Sequence, residues 1–146
     1  MESKLHISLD GIESEIRDIL YQYIRQESFT FSPGEKDAEA AAKKLYDTYH
    51  PELIIVTQGA KGGLLLDEKG LRRYNCYRVE VKDSNGCGDT FHGAFVAAKL
   101  KGMDNDMACK YASAAAAIKC TRLGARYAMA TDAECRAFLM ERGAEI

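Results

Sequence analysis

The 146-residue sequence lacks the features that mark several specialised classes of protein. With 2 Pro and 12 Gly it is neither collagen-like nor disordered in composition. No apolar run approaches the roughly 18 residues of a membrane span. Its 20 basic and 22 acidic residues leave a net charge of −2, so no broad basic surface is predicted for nucleic acid. With 47% hydrophobic residues, a single soluble domain over residues 1–146 is expected.

The cysteines are odd in number and lack the spacing of a metal cage. The sequence has 5 Cys and no Cys-x-x-Cys pair, so neither a disulfide framework nor a zinc site is predicted. The N-terminus has no basic segment leading into an apolar stretch, which argues against a secretory signal. We therefore expect reduced thiols and a cytoplasmic protein.

Apolar periodicity predicts helices and strands in alternation. A strand is expected at residues 5–9, a helix at 12–23, and a second helix after a capping box at 32–35. Pro51 ends that second helix. Its apolar face is formed by Ala38, Ala41, Ala42, Leu45 and Tyr49.

The rest of the chain continues this alternation. Residues 53–56 form a continuous apolar run that is typical of a strand buried on both faces. A strand at 64–66, a turn at 67–70 and one or two strands over 71–81 predict antiparallel pairing. Three helices are predicted at 88–101, at 106–121 and after a second capping box at 131–134. This pattern indicates an α/β sheet protein.

Two glycine-rich loops each follow a predicted strand, at residues 57–63 and 83–90. Ligands in α/β sheets bind at the carboxyl ends of strands, so these loops are the candidate sites. In the second loop the amides of Gly86, Cys87 and Gly88 are expected at a helix N-terminus, where unpaired N–H groups attract anions.

Asp89 has two interpretations. A carboxylate beside an anion site repels a phosphate, which makes sense if it is a general base that takes a proton from an attacking hydroxyl. Alternatively, Asp89 favours the first helical turn and the glycines form a tight corner. The residues of this loop on their own favour the second interpretation, because such glycine loops are common.

Residues 83–96, DSNGCGDTFHGAFV, resemble the second signature of the ribokinase-like, or PfkB-type, carbohydrate kinases. Cys87 departs from it, at a position where the family usually has Ala, Gly or Ser. Residues 56–63 resemble the nucleotide loop Thr-x-Gly-x-x-Gly of that family, and the resemblance extends over residues 28–139. Residues 91–94 and 120–122 look like the fructose and sulfofructose kinase branch. The resemblance implies the C-terminal portion of a three-layer α/β fold, with a mostly parallel sheet that is flanked by helices and includes an antiparallel hairpin.

The same resemblance implies roles for individual residues. Asp89 matches the catalytic base, and Gly86, Cys87 and Gly88 match the anion hole for the phosphoryl group. ATP-binding positions are matched by Thr57, Gly59, Lys61, Gly62 and Ser113. A monovalent-cation (K⁺) site, which family members form mostly through backbone carbonyls, is matched by Asp83, Asn85, Lys119, Arg122, Gly124 and Ala128, although Ala128 lacks the side-chain oxygen often found there. The acidic motif that organises Mg²⁺ is absent in its usual form, and Glu27 is a partial substitute.

Complete members of this family are about twice this length. Their first half supplies most sugar contacts and a lid, which this sequence lacks. One hypothesis is an ATP-dependent sugar kinase, present as the half that carries the nucleotide site and the base. The alternative is a nucleotide-binding remnant without catalysis, acting as a binding or regulatory module. Half a sheet also leaves an exposed strand edge, so a homo-oligomer is expected.

Overall fold

The computed structural model describes residues 7–8, 35–124 and 126–146. The helix predicted at 12–23, the capping residues at 32–34 and Glu27 lie outside these residues. The described chain falls into two compact units. The first unit combines the described residues up to Thr57 with Leu64–Arg73, and the second combines Gln58–Gly63 with Tyr74–Ile146. The assignment of residues 1–146 to one domain stays a prediction.

The described helices and strands follow the predicted order. They are β1 (Ile7–Ser8), α1 (Glu35–Tyr49), β2 (Leu53–Thr57), β3 (Gly63–Asp67), β4 (Gly70–Tyr74), α2 (Cys87–Leu100), α3 (Asn105–Cys120) and α4 (Asp132–Met140). A single turn of 3₁₀ helix, Gly59–Lys61, lies between β2 and β3. None of the described helices is both long enough and apolar enough to cross a membrane.

The four described strands form one sheet in the order β1-β2-β3-β4. β1 and β2 are parallel, with Ile7 opposite Ile54. The connections from β2 to β3 and from β3 to β4 are too short for a parallel crossover, so these strands run antiparallel. The predicted antiparallel hairpin is thereby confirmed.

The core of the first unit lies between α1 and the sheet. Its buried residues are Ala38, Ala42, Leu45, Ile54, Val56, Leu64 and Leu66. Leu53–Val56 are all buried, as the continuous apolar run predicted. Tyr49, by contrast, is 41% exposed, because it is the last helical residue before His50 leaves the helix with a φ of 48°.

A buried ion pair closes the turn between β3 and β4. The Arg72 guanidinium donates to both carboxylate oxygens of Asp67, at 2.8 Å each, and the Asp67 side chain is only 3% exposed. Lys69 also donates its backbone N–H to Asp67 Oδ1 at 2.9 Å. The turn is thus stabilised by a carboxylate whose hydrogen bonds replace the water lost on burial.

The second unit contains α2, α3 and α4. α2 packs against α3, whose alanine-rich face is almost wholly buried and permits close approach of the backbones. α4 begins with the predicted capping box, in which the Thr131 side chain accepts from Glu134 N and Glu134 accepts from Thr131 N. The Tyr111 hydroxyl donates to Asp132 Oδ1 at 2.6 Å and so joins α3 to α4.

The strand predicted over residues 71–81 extends only to Tyr74. Beyond it, the alternation of Val79 and Val81 does not produce a strand, and Val81 is 59% exposed. The backbone is held by a helix end instead, since the N–H groups of Lys82 and Asp83 donate to Cys120 O at 2.8 and 3.2 Å. The prediction was wrong here because alternation does not provide a hydrogen-bonded partner strand.

The prediction that all five cysteines are reduced thiols is also wrong for one pair. Cys87, the first residue of α2, forms a disulfide with Cys120, the last residue of α3. Cys76, Cys109 and Cys135 are thiols. The two cysteines lie 33 positions apart, and only the packing of α2 on α3 brings them together.

Candidate active site

The first glycine loop, Gln58–Gly63, is held by its own backbone. Gln58 N donates to Gly62 O at 2.7 Å, and Gly62 N donates to Gly59 O at 3.1 Å. Gly59 and Gly62 have φ values of 59° and 82°, which favour glycine. Lys61 is exposed at the end of the 3₁₀ turn. Thr57, which is also assigned to ATP binding, ends β2 and belongs to the first unit.

Residues after β4 support this loop. A Cβ atom on Gly62 would lie 2.0 Å from the carbonyl oxygen of Tyr74, so no side chain fits there. The Cys76 thiol donates to Gly59 O at 3.2 Å, and burial raises the pKa of that thiol. Neither Tyr74 nor Cys76 was predicted to support the loop, because this support depends on contacts between residues that are distant in the sequence.

The same tyrosine connects the loop to the helix that carries Asp89. The ring of Tyr74 stacks on Phe91, with 5.3 Å between ring centroids. Phe91 is buried on α2 two residues after Asp89, and its ring also contacts His92 edge to face. His92 is therefore a packing residue in this arrangement. The stacked pair thus connects the first glycine loop with the helix that follows the second.

The first turn of α2 presents open backbone N–H groups. Gly86 is the N-cap residue, with a φ of 73° and no side-chain cap. Cys87 N donates to Ser84 O at 3.3 Å, so this amide of the predicted anion hole is engaged. Within the described residues the amides of Gly86 and Gly88 have no acceptor. A Cβ atom on Gly86 would meet nothing within 4 Å, which leaves open space for an anion beside these amides.

Asp89 lies in this first turn and is exposed. In the part of the chain that the structure describes, its carboxylate has neither an ion pair nor a hydrogen bond. A negative charge is favoured at a helix N-terminus, where the partial positive charge of the backbone is concentrated. The carboxylate is thus open to a ligand and close in sequence to two open amides.

Asp83 holds the beginning of the second loop. Its Oδ1 accepts from Asn85 N at 2.9 Å, and its Oδ2 accepts from Gly124 N at 3.1 Å. Lys119 Nζ donates to the Asp83 carbonyl at 3.2 Å and lies 3.7 Å from Oδ2. The N–H groups of Asn85 and Gly124, together with Lys119, hold the pKa of Asp83 below its usual range.

These contacts do not fit the monovalent-cation site that the resemblance implies. The structure brings together four of the six assigned residues, namely Asp83, Asn85, Lys119 and Gly124. However, Gly124 donates its N–H to Asp83, and Lys119 O accepts from Arg122 N at 3.0 Å. The N–H groups of Asn85 and Gly124 and the Lys119 ammonium thus occupy the Asp83 oxygen atoms that a bound cation would need.

The other two residues assigned to the cation site have different surroundings. The Arg122 guanidinium forms an ion pair with Glu134 in the capping box of α4. Ala128 is fully buried and has no side-chain oxygen. Ser113, assigned to the adenine, is 1% exposed on α3, and its hydroxyl has no partner in the described part of the chain.

The sequence contained a signal for the burial of Lys119. Its position follows Ala108, Ala112 and Ala115 at steps of four, three and four residues, which places all four on one helix face. A lysine on a buried face requires an anionic or carbonyl partner. The family resemblance, by contrast, implied a role mainly for the backbone carbonyl at this position and not for the ammonium.

Comparisons with known proteins agree with the fold. The model of the pfkB family carbohydrate kinases matches residues 21–132. Ribokinase from Haemophilus influenzae is 36% identical over 105 residues, which cover 69% of this chain and 34% of that protein. A 5-dehydro-2-deoxygluconokinase from Shouchella clausii is 31% identical, over 71% of this chain and 32% of its own. The chain thus spans about a third of the length of these curated relatives.

Solved structures give the same result. Ribokinase from Thermotoga maritima aligns with a TM-score of 0.69 and 28% identity, over 92% of this chain and 48% of that chain. A putative ribokinase II from E. coli, in complex with ATP and Mg²⁺, aligns with a TM-score of 0.68 and 27% identity, over 87% of this chain and 44% of that one. The described part of the chain therefore has the α/β fold of ribokinases.

Proposed function

The chain belongs to the pfkB family of carbohydrate kinases, and we propose that it carries the ATP site and the base of a phosphotransferase acting on a sugar hydroxyl. The observation that carries this proposal is the first turn of α2. There the exposed carboxylate of Asp89 follows the open amides of Gly86 and Gly88. A base beside an anion site is what phosphoryl transfer to an alcohol requires.

In the proposed reaction, Asp89 accepts the proton of the sugar hydroxyl as the hydroxyl oxygen attacks the γ-phosphorus of ATP. A new oxygen–phosphorus bond forms, the bond to the β-phosphate oxygen breaks, and ADP leaves. The amides of Gly86 and Gly88 stabilise the charge on the transferring group. The Gly59–Lys61 turn and Gly62 contact the nucleotide. Mg²⁺, when bound with the ATP phosphates, neutralises part of their charge.

The acceptor of the phosphoryl group is proposed from the names of the relatives and from two short stretches of the sequence. The names of the relatives, ribokinase and 5-dehydro-2-deoxygluconokinase, favour sugars and sugar derivatives of that kind. Residues 91–94 and 120–122 favour a ketose. A panel containing ribose, fructose and 5-dehydro-2-deoxygluconate distinguishes these acceptors by the rate of ADP formation.

Asp89→Asn tests the base directly. The variant keeps the size of the side chain and removes its basicity, so we expect phosphoryl transfer to fall by at least about 100-fold with ATP affinity retained. Rates of ADP formation and calorimetric ATP binding measure the two effects. Asp47→Asn, which changes an exposed aspartate on α1, is the matched control. Transfer at the unaltered rate in Asp89→Asn would contradict the assignment.

A nucleotide-binding module without catalysis is the second candidate. It requires only the first glycine loop, which is closed by its own backbone hydrogen bonds from Gln58 N to Gly62 O and from Gly62 N to Gly59 O and does not depend on Asp89. ATP binding without ADP formation on any sugar of the panel would support the module over the kinase. Absence of ATP binding would contradict both candidates.

A cytoplasmic location remains part of the proposal. The prediction of reduced thiols, on which it partly rested, is contradicted by the Cys87–Cys120 disulfide.

A further inference from the structure

Lys119 is the largest side chain in the described chain that is less than 2% exposed. It is the second-to-last residue of α3, in a helix whose buried face is otherwise formed mainly by alanine. Burial of an ammonium is costly unless oxygen atoms replace its hydration shell. The position of those oxygen atoms therefore shows what the lysine does.

The oxygen atoms that surround the ammonium belong to Asp83. Lys119 Nζ lies 3.2 Å from the Asp83 carbonyl oxygen and 3.7 Å from its Oδ2. Asp83 in turn fixes Asn85 and Gly124 through its two carboxylate oxygens. The ammonium thus lies where one carbonyl and one carboxylate oxygen of the same residue converge, and it holds both the backbone and the side chain of Asp83.

Asp83 begins the loop that leads to Gly86, Gly88 and Asp89. The direction of this loop depends on the conformation of Asp83, because the turn from Asp83 to Asn85 is closed by the carboxylate itself. A positive charge at Asp83 therefore positions the first turn of α2. Another cation at the same oxygens would be repelled by the ammonium that already contacts them.

We propose that the Lys119 ammonium is a covalently tethered monovalent cation, which holds the Asp83 loop in place and makes the chain independent of K⁺. Lys119 is a positioning residue in this scheme, acting on the site through Asp83. The effect on ATP binding rests on the proposed function, whereas the effect on the stability of the loop does not.

The test compares wild type, Lys119→Ala and Lys119→Met in buffers of equal ionic strength that contain K⁺, NH₄⁺ or choline. Melting temperature and calorimetric ATP affinity are measured in each. For wild type, we expect the same melting temperature in all three buffers and ATP affinities within about twofold of each other. Lys119→Ala leaves space for an ion, so in choline it should melt lower and bind ATP about tenfold more weakly, with both properties restored by K⁺ or NH₄⁺.

Lys119→Met fills the same space with an apolar side chain, so its losses should not be restored by either ion. Lys110→Ala, at an exposed position on α3, is the control and should behave as wild type. A wild-type protein that requires K⁺ would overturn the proposal, and this comparison decides even if Lys119→Ala does not fold. Losses in Lys119→Ala that no ion restores would overturn it as well. If no variant binds ATP, the proposed function fails, and the melting temperatures still judge the tethered cation.

Discussion

Two glycines of the first glycine loop differ in the space around them. Both have positive φ, at 59° for Gly59 and 82° for Gly62. A Cβ atom on Gly59 would meet nothing within 4 Å, whereas one on Gly62 would overlap the carbonyl of Tyr74. The conformation of the loop therefore explains both glycines, and the contact with Tyr74 explains only one of them.

Gly62→Ala should consequently be much more destabilising than Gly59→Ala. Gly59→Ala should lower the free energy of unfolding by about 1 kcal/mol, for the left-handed backbone conformation alone. Gly62→Ala adds an overlap with the backbone of Tyr74, which cannot move aside, so we expect it to lower the free energy of unfolding by at least about 3 kcal/mol. Urea denaturation of the two variants measures the difference. Equal midpoints would show that the loop does not pack on Tyr74 as described.

The resemblance to the kinase family implied that Asp83 and Gly124 belong to one site, and the structure joins them by a hydrogen bond. The resemblance did not indicate that the Lys119 ammonium contacts Asp83, because a match to a site formed mostly by backbone carbonyls says nothing about the direction of a side chain. The proposed catalytic role of Asp89 stays a prediction.

At the scale of elements, the helix predictions that rest on local sequence and fall within the described residues were confirmed. The capping box at the start of α4 depends on four consecutive residues, and helical periodicity depends on neighbours three and four positions apart. The prediction of strands over residues 71–81 was wrong beyond Tyr74, because a strand needs a partner that its own sequence does not specify. The disulfide was not predicted because Cys87 and Cys120 meet only through the packing of α2 on α3.

The capping box of α4 should make stability depend on pH. The Arg122 guanidinium, together with the Thr131 backbone, lowers the pKa of Glu134 to about 2. Since the value in the unfolded chain is about 4.3, this carboxylate stabilises the fold above about pH 4.3, and its contribution is lost as the pH falls toward 2.

Glu134→Gln removes this charge, so the variant should have a lower melting temperature than wild type at about pH 7. The gap in melting temperature should narrow once the pH falls below about 4. Glu145→Gln, at an exposed position near the end of the chain, is the control. A gap that stays constant over the whole range would mean that the ion pair with Arg122 contributes nothing to stability.

At the scale of the whole molecule, large apolar side chains remain exposed in the second unit. Tyr127 is 95% exposed, Leu100 is 85% exposed and Leu123 is 75% exposed. Apolar groups that are near each other in solvent favour association. We therefore propose self-association through the segment that contains Leu123 and Tyr127, in keeping with the oligomer expected from the sequence.

Light scattering after size-exclusion chromatography tests this proposal. We expect a mass of at least twice the 16.2 kDa of one chain, and a return to 16.2 kDa in the double variant Leu123→Lys, Tyr127→Lys. Val96→Lys, on the exposed side of α2, should leave the mass of wild type unchanged. A single-chain mass for wild type at high concentration would contradict the proposal.

The disulfide has a topological consequence. Because Cys87 begins α2 and Cys120 ends α3, the bond closes a backbone ring that contains both helices from end to end. The molecule is a ring with two tails and not a linear chain, even when every non-covalent contact is broken. For a ring of this size the lost entropy of the denatured chain corresponds to about 4 kcal/mol. Asp89 and Lys119 lie within two residues of the ring closure, so the proposed base and the proposed positioning residue stay neighbours in the denatured molecule.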